Sequence, residues 1–284
     1  MTNFSMIVDV EKCTGCYACF LTCRDEYVGN DHLPYSIAQP PANSEFGQSW
    51  IRVVEEERGT FPKAKITYTP IMCQNCEDAP CIEAAKNGAV FRREDGIVMI
   101  DPEKADGQKT IADSCPYGVI FWNEEKKVAQ KCTFCSHLLD DGWKMPRCAE
   151  ACPVEAILFG DLDDPDSAIS QKRQAGRMEE LNHEFGIKPT VAYVGLPKRF
   201  IAGEVVLSGD VEECAEGISV ILAGDSGTLS TTTDAFGDFE FTGLTEGSDF
   251  TIEIDAPDRQ NYSVDVRSDT DLNLGVIMLE PLAG

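Results

Sequence analysis

Basic residues are scarce in this chain of 284. Its 24 Lys and Arg face 49 Asp and Glu, a net charge of −25. Such a negative field repels phosphate backbones and anionic headgroups, so no nucleic acid is expected as a partner. Histidine is nearly absent too. His32, His137 and His183 are too scattered for an iron carrying two imidazole ligands. No apolar run reaches the ~20 residues of a membrane helix, so no direct membrane insertion is expected. The opening residues carry no Arg and no apolar signal core, from which we expect no export signal and a cytoplasmic chain. A phosphate loop, a dinucleotide fingerprint and a Ser/His/Asp order are all missing. No catalytic residue is therefore assigned.

What the chain has in excess is cysteine, and that excess is confined. Of 13 cysteines, all but Cys214 lie at or before Cys152. An odd, one-sided count makes a poor disulfide framework and favours metal or cluster binding. Charge divides in the same place. Residues 201–284 hold 18 acids against Arg259 and Arg267, a net of −16, which leaves −9 on residues 1–200. Two domains follow from this split and from the length.

The first part alternates cysteine runs with short strands. Ser5–Val10 reads as a strand. Ala89–Arg93 and Ile97–Asp101 flank Glu94-Asp95-Gly96 as a hairpin, Val119–Trp122 and Val128–Lys131 make a second, and Trp50–Val54 with Ile66–Tyr68 a third. Residues 34–48 read as an irregular surface loop. A helix capped by Asp166 or Ser167 is expected to carry Ile169, Met178, Leu181 and Phe185 on one face and to stop at Gly186 before Pro189. From about Gly203 the period becomes two. Seven short strands follow: Glu204–Leu207, Ile218–Leu222, Leu229–Thr233, Phe239–Phe241, Phe250–Ile254, Tyr262–Val266 and Asn273–Leu279. The expected fold is α+β: a duplicated bacterial-ferredoxin-like iron–sulfur domain (1–186), an extended connector (187–202) and an acidic, antiparallel seven-stranded β-sandwich (203–284). Gly237-Asp238-Phe239-Glu240-Phe241, Gly243-Leu244 and Gly247 resemble the collagen-binding B-type and carboxypeptidase regulatory-like sandwiches, a widely shared pattern.

The first run, Cys13-x2-Cys16-x2-Cys19-x3-Cys23, has the spacing of a bacterial [4Fe–4S] ferredoxin, in which the fourth cysteine serves the other cluster. The second run is Cys73-x2-Cys76-x4-Cys81. The third has only its last member, Cys115-Pro116. The fourth is Cys132-x2-Cys135-x12-Cys148-x3-Cys152-Pro153. Pairing the first run with the fourth, and the second with the third, gives three complete sets of four. One cluster takes Cys13, Cys16, Cys19 and Cys152. The next takes Cys132, Cys135, Cys148 and Cys23. The last takes Cys73, Cys76, Cys81 and Cys115. A fourth cluster would need positions 85, 105, 108 and 111, which are Ala85, Ala105, Gln108 and Ile111. The missing ligands all belong to one site, so three [4Fe–4S] clusters are expected. Zinc also takes four thiolates, but usually from two separated pairs.

Other residues have plainer readings. Cys214 is expected as a small buried residue, and Trp122 and Trp143 as packing residues. Asp161, Asp163, Asp164 and Asp166 read as a helix-start turn, because a calcium loop's Gly and terminal Glu are missing. Arg24, Lys131 and Arg147 stand beside ligand cysteines. They either raise a neighbouring potential by their charge or are solvated surface charge.

Cys13–Cys23, Cys73–Cys81, Cys115-Pro116-Tyr117-Gly118 and Cys132–Pro153 together resemble the iron–sulfur subunits of molybdopterin oxidoreductases of the dimethyl-sulfoxide reductase type. The resemblance spans about residues 4–165. Full members carry four clusters. The chain looks most like the small subunits of the pyrogallol–phloroglucinol transhydroxylase family. Gly96-Ile97-Val98, Asp101-Pro102-Glu103-Lys104, Trp122-Asn123-Glu124-Glu125, Val128–Thr133 and His137–Asp141 fit that family. Residues 152–165 look more like general respiratory iron–sulfur subunits. The resemblance implies a non-catalytic, electron-transferring subunit of an anaerobic heterodimer. Its large partner subunit would hold molybdopterin with Mo or W and act on polyhydroxylated aromatics. A related phenol hydroxylase or dehydroxylase, a structural clasp for the large subunit and a free-standing shuttle are the alternatives.

Overall fold

A computed structural model describes residues 2–27, 49–209, 213–225 and 227–282. His32 and the expected loop at 34–48 lie outside the described residues. The chain divides into two compact units. The first is Met1–Glu55 with Thr67–Leu196, and the second is Glu56–Ile66 with Pro197–Gly284.

The first unit is built from short pieces. In chain order they are β1 (Phe4–Asp9), α1 (Ala18–Tyr27), the hairpin β2 (Arg52–Thr60) and β3 (Lys63–Ile71), α2 (Pro80–Ala84), the hairpin β4 (Val90–Arg92) and β5 (Val98–Ile100), and α3 (Thr110–Asp113). The hairpin β6 (Ile120–Asn123) and β7 (Val128–Lys131) follows, then α4 (Ser136–Asp140), α5 (Arg147–Glu150), β8 (Ile157–Asp161), α6 (Ala168–Gln174) and β9 (Ala192–Val194). The distal part of the β2–β3 hairpin, 56–66, counts with the second unit.

β1 is the middle strand of three. It pairs antiparallel with β8, from Phe4↔Asp161 to Val8↔Ile157, and parallel with β9, from Ile7↔Ala192 to Asp9↔Val194. Successive side chains on a strand point to opposite faces. Met6 and Val8 enter the main core, while Ile7 joins Ile169, Ala192 and Val194 in a second, smaller core. Both faces are covered, which explains why this strand is apolar nearly throughout. The segment 187–202, expected as a connector, instead supplies β9 at the edge of this sheet, and from Arg199 it is already strand again.

The helix expected over 166–186 stops early. Ser167 caps it, accepting the Ser170 N–H at 3.2 Å, but α6 ends at Gln174. Gly176 has φ +84°, outside the helical range. Beyond it Glu179 exchanges backbone hydrogen bonds with Tyr193, and a 3-10 turn at His183–Phe185 ends at Gly186. Met178, Leu181 and Phe185 therefore do not share a helix face with Ile169.

The second unit holds β10 (Arg199–Leu207), β11 (Glu213–Cys214), β12 (Ser219–Gly224), β13 (Gly227–Thr232), β14 (Asp238–Leu244), β15 (Asp249–Asp255), β16 (Tyr262–Arg267) and β17 (Leu272–Leu279). They form two four-stranded sheets. In one, β10 pairs with β11, β14 and β17. The other runs β13-β12-β15-β16. Val220↔Ile254 and Leu222↔Ile252 face each other across the second sheet, and they share a core with Val205, Phe239 and Ile277 of the first. Two expectations are corrected. The β10–β17 pair is parallel, because the chain leaves the second sheet after β16 and re-enters the first beside β10 rather than by a hairpin. Cys214 is exposed, because it lies on the two-residue edge strand β11.

Asp271 anchors the start of β17. Its side chain is 3% exposed and accepts the Phe200 N–H at 3.0 Å, with Arg58 and Arg199 each 3.7 Å away. Removing a buried carboxylate leaves its partners uncompensated, so Asp271→Ala is expected to destabilise by about 3 kcal/mol. Urea unfolding of the purified protein measures this, and a loss below about 1 kcal/mol would contradict the role given to Asp271.

Candidate metal centres

The first cysteine run lies on a loop that opens into α1, which presents Cys19 and Cys23 one turn apart. Gly15 makes this loop tight. Its φ is +66°, and a Cβ there would lie 2.5 Å from the Tyr68 ring. Burial pushes the Cys19 thiol up to about 12. The Phe20 N–H opposes the shift, and the nearby Cys13, Cys152 and Cys16 add to it. Cys13 is raised mainly by burial, and by Cys152 and Cys16 as well. Cys13, Cys16, Cys19 and Cys152 thus stand within electrostatic range of one another. Cys16 is exposed.

α5 brings Cys148 against α1. Burial raises Cys148 well above the ordinary thiol value, and Cys135, Cys132, Cys23 and Cys19 raise it further. Cys132 is raised in the same way by burial, then by Cys23, Cys73 and Cys135. Burial pushes Cys135 up to about 12, with Cys23 contributing. Cys23, Cys132, Cys135 and Cys148 form the second gathering, and all four are buried.

The third gathering lines one cavity, with Cys73, Cys76, Cys81 and Cys115 on its wall. Cys76 is pushed up to about 12 by burial and by the other three thiols. Cys81 is pushed up to about 11 by burial and Cys73, while Lys131 pulls it down. The three gatherings form a row. Cys148 is in range of Cys19, which links the first to the second, and Cys132 is in range of Cys73, which links the second to the third.

Backbone amides point at the sulfurs. The N–H groups of Trp50, Phe134 and Ala156 donate to Sγ of Cys23, Cys132 and Cys152 at 3.4, 3.4 and 3.2 Å. These donors favour thiolate, whereas burial and crowding oppose it. A cationic metal core among the thiols resolves the conflict, since metal binding removes thiol protons. Among the described residues, no three or more His, Cys, Asp or Glu are grouped to hold a single metal ion. Four thiols around a cavity suit a larger group, and the donor set is that of iron–sulfur clusters.

The positions of the absent fourth set are occupied by packing. Ala105 and Ile111 are fully buried in the main core, and Ala85 packs against it. Gln108 is hydrogen-bonded to the backbone of Lys86 and Lys104.

Of the bases beside the cysteines, Arg24 is exposed. Arg147 is half-buried and paired with Glu26 and Glu150. His137 Nε2 is 2.9 Å from Glu26, and His183 is exposed. Trp122 is buried, and Trp143 is 42% exposed with its ring packed under the Arg147 guanidinium. The carboxylates of Asp161 and Asp164 accept backbone N–H groups at the turn before α6. Sequence reasoning missed Tyr27, whose hydroxyl meets Thr133 at 3.0 Å beside the second gathering. It also missed Asn75, which accepts the Val98 N–H at 2.8 Å, and Arg92, which donates to the carbonyls of Cys76 and Glu77. Asn75 lies inside the second run and Tyr27 one turn beyond Cys23, so proximity to the runs was the available signal.

Fold and thiol arrangement define a ferredoxin-like iron–sulfur protein, and residues 64–162 match the 4Fe-4S dicluster domain family. The chain is 42% identical, over 98% of its length and 100% of the relative's, to the pyrogallol hydroxytransferase small subunit of Pelobacter acidigallici. It is 34% identical to the putative dimethyl sulfoxide reductase iron–sulfur subunit of Halobacterium salinarum, over 68% of this chain and 79% of that one. It is 30% identical to the arsenate respiratory reductase iron–sulfur subunit of a Shewanella strain, over 68% and 96%. The chain belongs to the family of iron–sulfur electron-transfer subunits of molybdopterin oxidoreductases. No helix among the described residues is long and apolar enough to cross a membrane.

This geometry makes two predictions. Gly15→Ala forces a side chain into Tyr68 at a left-handed φ, so purified protein should retain less iron than wild type, as a colorimetric iron assay reads. Unchanged iron would show the loop to be permissive. The second concerns pH. Folded thiol pKa values of about 11 to 12 lie above the unfolded value of 9.0. Their contribution to stability is fully present below pH 9 and is lost as pH rises through about 12. The urea midpoint of iron-stripped protein should therefore fall from pH 9 upward, and a rising midpoint would refute the assignment.

Proposed function

We propose that this chain is the three-cluster small subunit of a transhydroxylase-type enzyme acting on polyhydroxylated aromatics. A large partner subunit would hold molybdopterin with Mo or W and carry out the chemistry. Three [4Fe–4S] clusters would be held by Cys13, Cys16, Cys19 and Cys152, by Cys23, Cys132, Cys135 and Cys148, and by Cys73, Cys76, Cys81 and Cys115. The observation that carries this reading is the row of three thiol gatherings, each made of the four residues that ferredoxin register assigns to one cluster. Similarity along nearly the whole chain to the pyrogallol hydroxytransferase small subunit supports the substrate class.

When bound, such clusters supply one-electron storage and transfer. The chain's own residues do the rest. The thiols would deprotonate to hold the metal, the amides of Trp50, Phe134 and Ala156 donate to the sulfurs, and apolar residues such as Val98 and Ile120 line the cavity of the third gathering. A transhydroxylase is redox-neutral overall, so its clusters need not carry net current. A hydroxylase or dehydroxylase would need an onward path to an outside donor or acceptor. We further propose that the two sheets of the second unit pack as a sandwich, supported by their common core. Thiolate-held clusters suit a reducing compartment, which supports a cytoplasmic complex.

Iron and sulfide analysis of the complex purified without oxygen should give about twelve iron atoms per chain, three cubanes of four. The same complex should convert pyrogallol-type phenols without an added redox dye. Iron far below that figure would sink the cluster assignment, and activity that depends strictly on the dye would replace hydroxyl transfer by net oxidation or reduction.

A further inference from the structure

Lys131 ends β7 immediately before Cys132 and is 3% exposed. Among the described residues it is the one Lys or Arg that is buried outright, and no carboxylate there pairs with it. Its ammonium donates to the carbonyls of Val98 and, at 2.9 Å, Cys132. Val98 belongs to the wall of the third cavity, and its own N–H is bound by Asn75 of the second cysteine run. Lys131 also acts on Cys81 electrostatically. The side chain thus stands at the junction of the second and third thiol gatherings, where Cys132 and Cys73 come into range of each other.

A cation buried without an anionic partner is costly. Two carbonyl oxygens orient the ammonium but do not neutralise it. Thiolate-ligated clusters carry net negative charge that grows on reduction, so the missing counter-charge is the neighbouring metal group. The other nearby bases differ. Arg24 and Arg92 are exposed and screened by solvent, and Arg147 is neutralised by Glu26 and Glu150.

We propose that Lys131 is an electrostatic tuning residue that favours the reduced state of the cluster held by Cys73, Cys76, Cys81 and Cys115, so that an electron entering the row comes to rest there. The inference rests on the cluster assignment above. The step is a one-electron reduction without proton transfer. The electron comes from the partner's molybdopterin centre in the enzyme and from dithionite through mediators in the test. Lys131 touches no substrate and acts only through its charge.

EPR-monitored redox titration of the purified complex, comparing wild type with Lys131→Met, Lys131→Gln and Lys131→Arg, tests this. In Met and Gln variants that keep their iron, the reduction equilibrium of one cluster should shift at least tenfold toward the oxidised form, equivalent to about 59 mV for one electron. The Arg variant should stay within threefold of wild type. Loss of one cluster from Met and Gln but not from Arg would also support the charge role. Full iron with all midpoints within threefold in Met or Gln would overturn the proposal and leave the cluster assignment standing. So would the same shift or loss in Arg, which would make the role steric. Wild-type iron far below three cubanes would instead overturn the assignment itself.

Discussion

Buried thiols that must become anions close to one another are the constraint on which the first unit depends. Eight of the run cysteines belong to its main core, and burial raises the pKa of Cys19, Cys23, Cys76, Cys81, Cys132, Cys135 and Cys148 among them. Ionising such a set in a low-dielectric interior is prohibitive without positive charge in its midst. Iron supplies that charge, so folding of the core and metal binding are thermodynamically coupled. This also explains how a domain with little regular structure holds together. Metal–thiolate bonds cross-link segments that apolar packing alone would not fix.

The local conformation carries the mark of those cross-links. α2, α3, α4 and α5 are each five residues or fewer, far below the length at which a helix is stable by itself. Within or beside the runs, Tyr17, Asn75, Phe134 and Cys135 all take positive φ. Non-glycine residues rarely do so, and each costs free energy. The cost is tolerated because these turns aim amides and thiols inward at the same time. Phe134 shows the coupling: its left-handed φ accompanies its N–H bond to Cys132. Helix propensity is thus subordinate to the demands of the sulfurs.

That hierarchy decides what is legible in the sequence. Cysteine register is legible because ligand spacing is a local, rigid requirement, and the hairpins β4–β5 and β6–β7 survive because turn chemistry is local too. The helix after β8 runs shorter than its pattern implies. Its apolar residues fit a helical period, yet Gly176 breaks the chain and Glu179 pairs with Tyr193, a partner beyond local reach. β9 reads as connector for the same reason, since its strand character comes from β1. In the second unit, alternation identifies the strands but not their order. The parallel β10–β17 pair depends on a crossing between sheets that no local pattern encodes. Cys214 reads as buried from its residue type, whereas edge position governs its exposure. Lys131 is legible only as a charge beside a cysteine, because its burial and its reach to Val98 are long-range facts.

On the proposed cluster assignment, the fourth position shows how a core can do without one metal site and not collapse. Removing thiols and metal from a packed interior leaves a void, and voids cost about 24 cal/mol per Å³. Ala105 and Ile111 fill that space with no exposed surface, and Gln108 ties the backbone of Lys86 to that of Lys104, a span that ligands would otherwise have joined. Only Ile111 brings bulk, and α3, which carries it, packs directly against α2. Apolar packing and a few side-chain hydrogen bonds therefore replace the cross-link at this one place, without any thiolate repulsion. On that assignment the three gatherings keep their cysteines because each is a place where charge must be held.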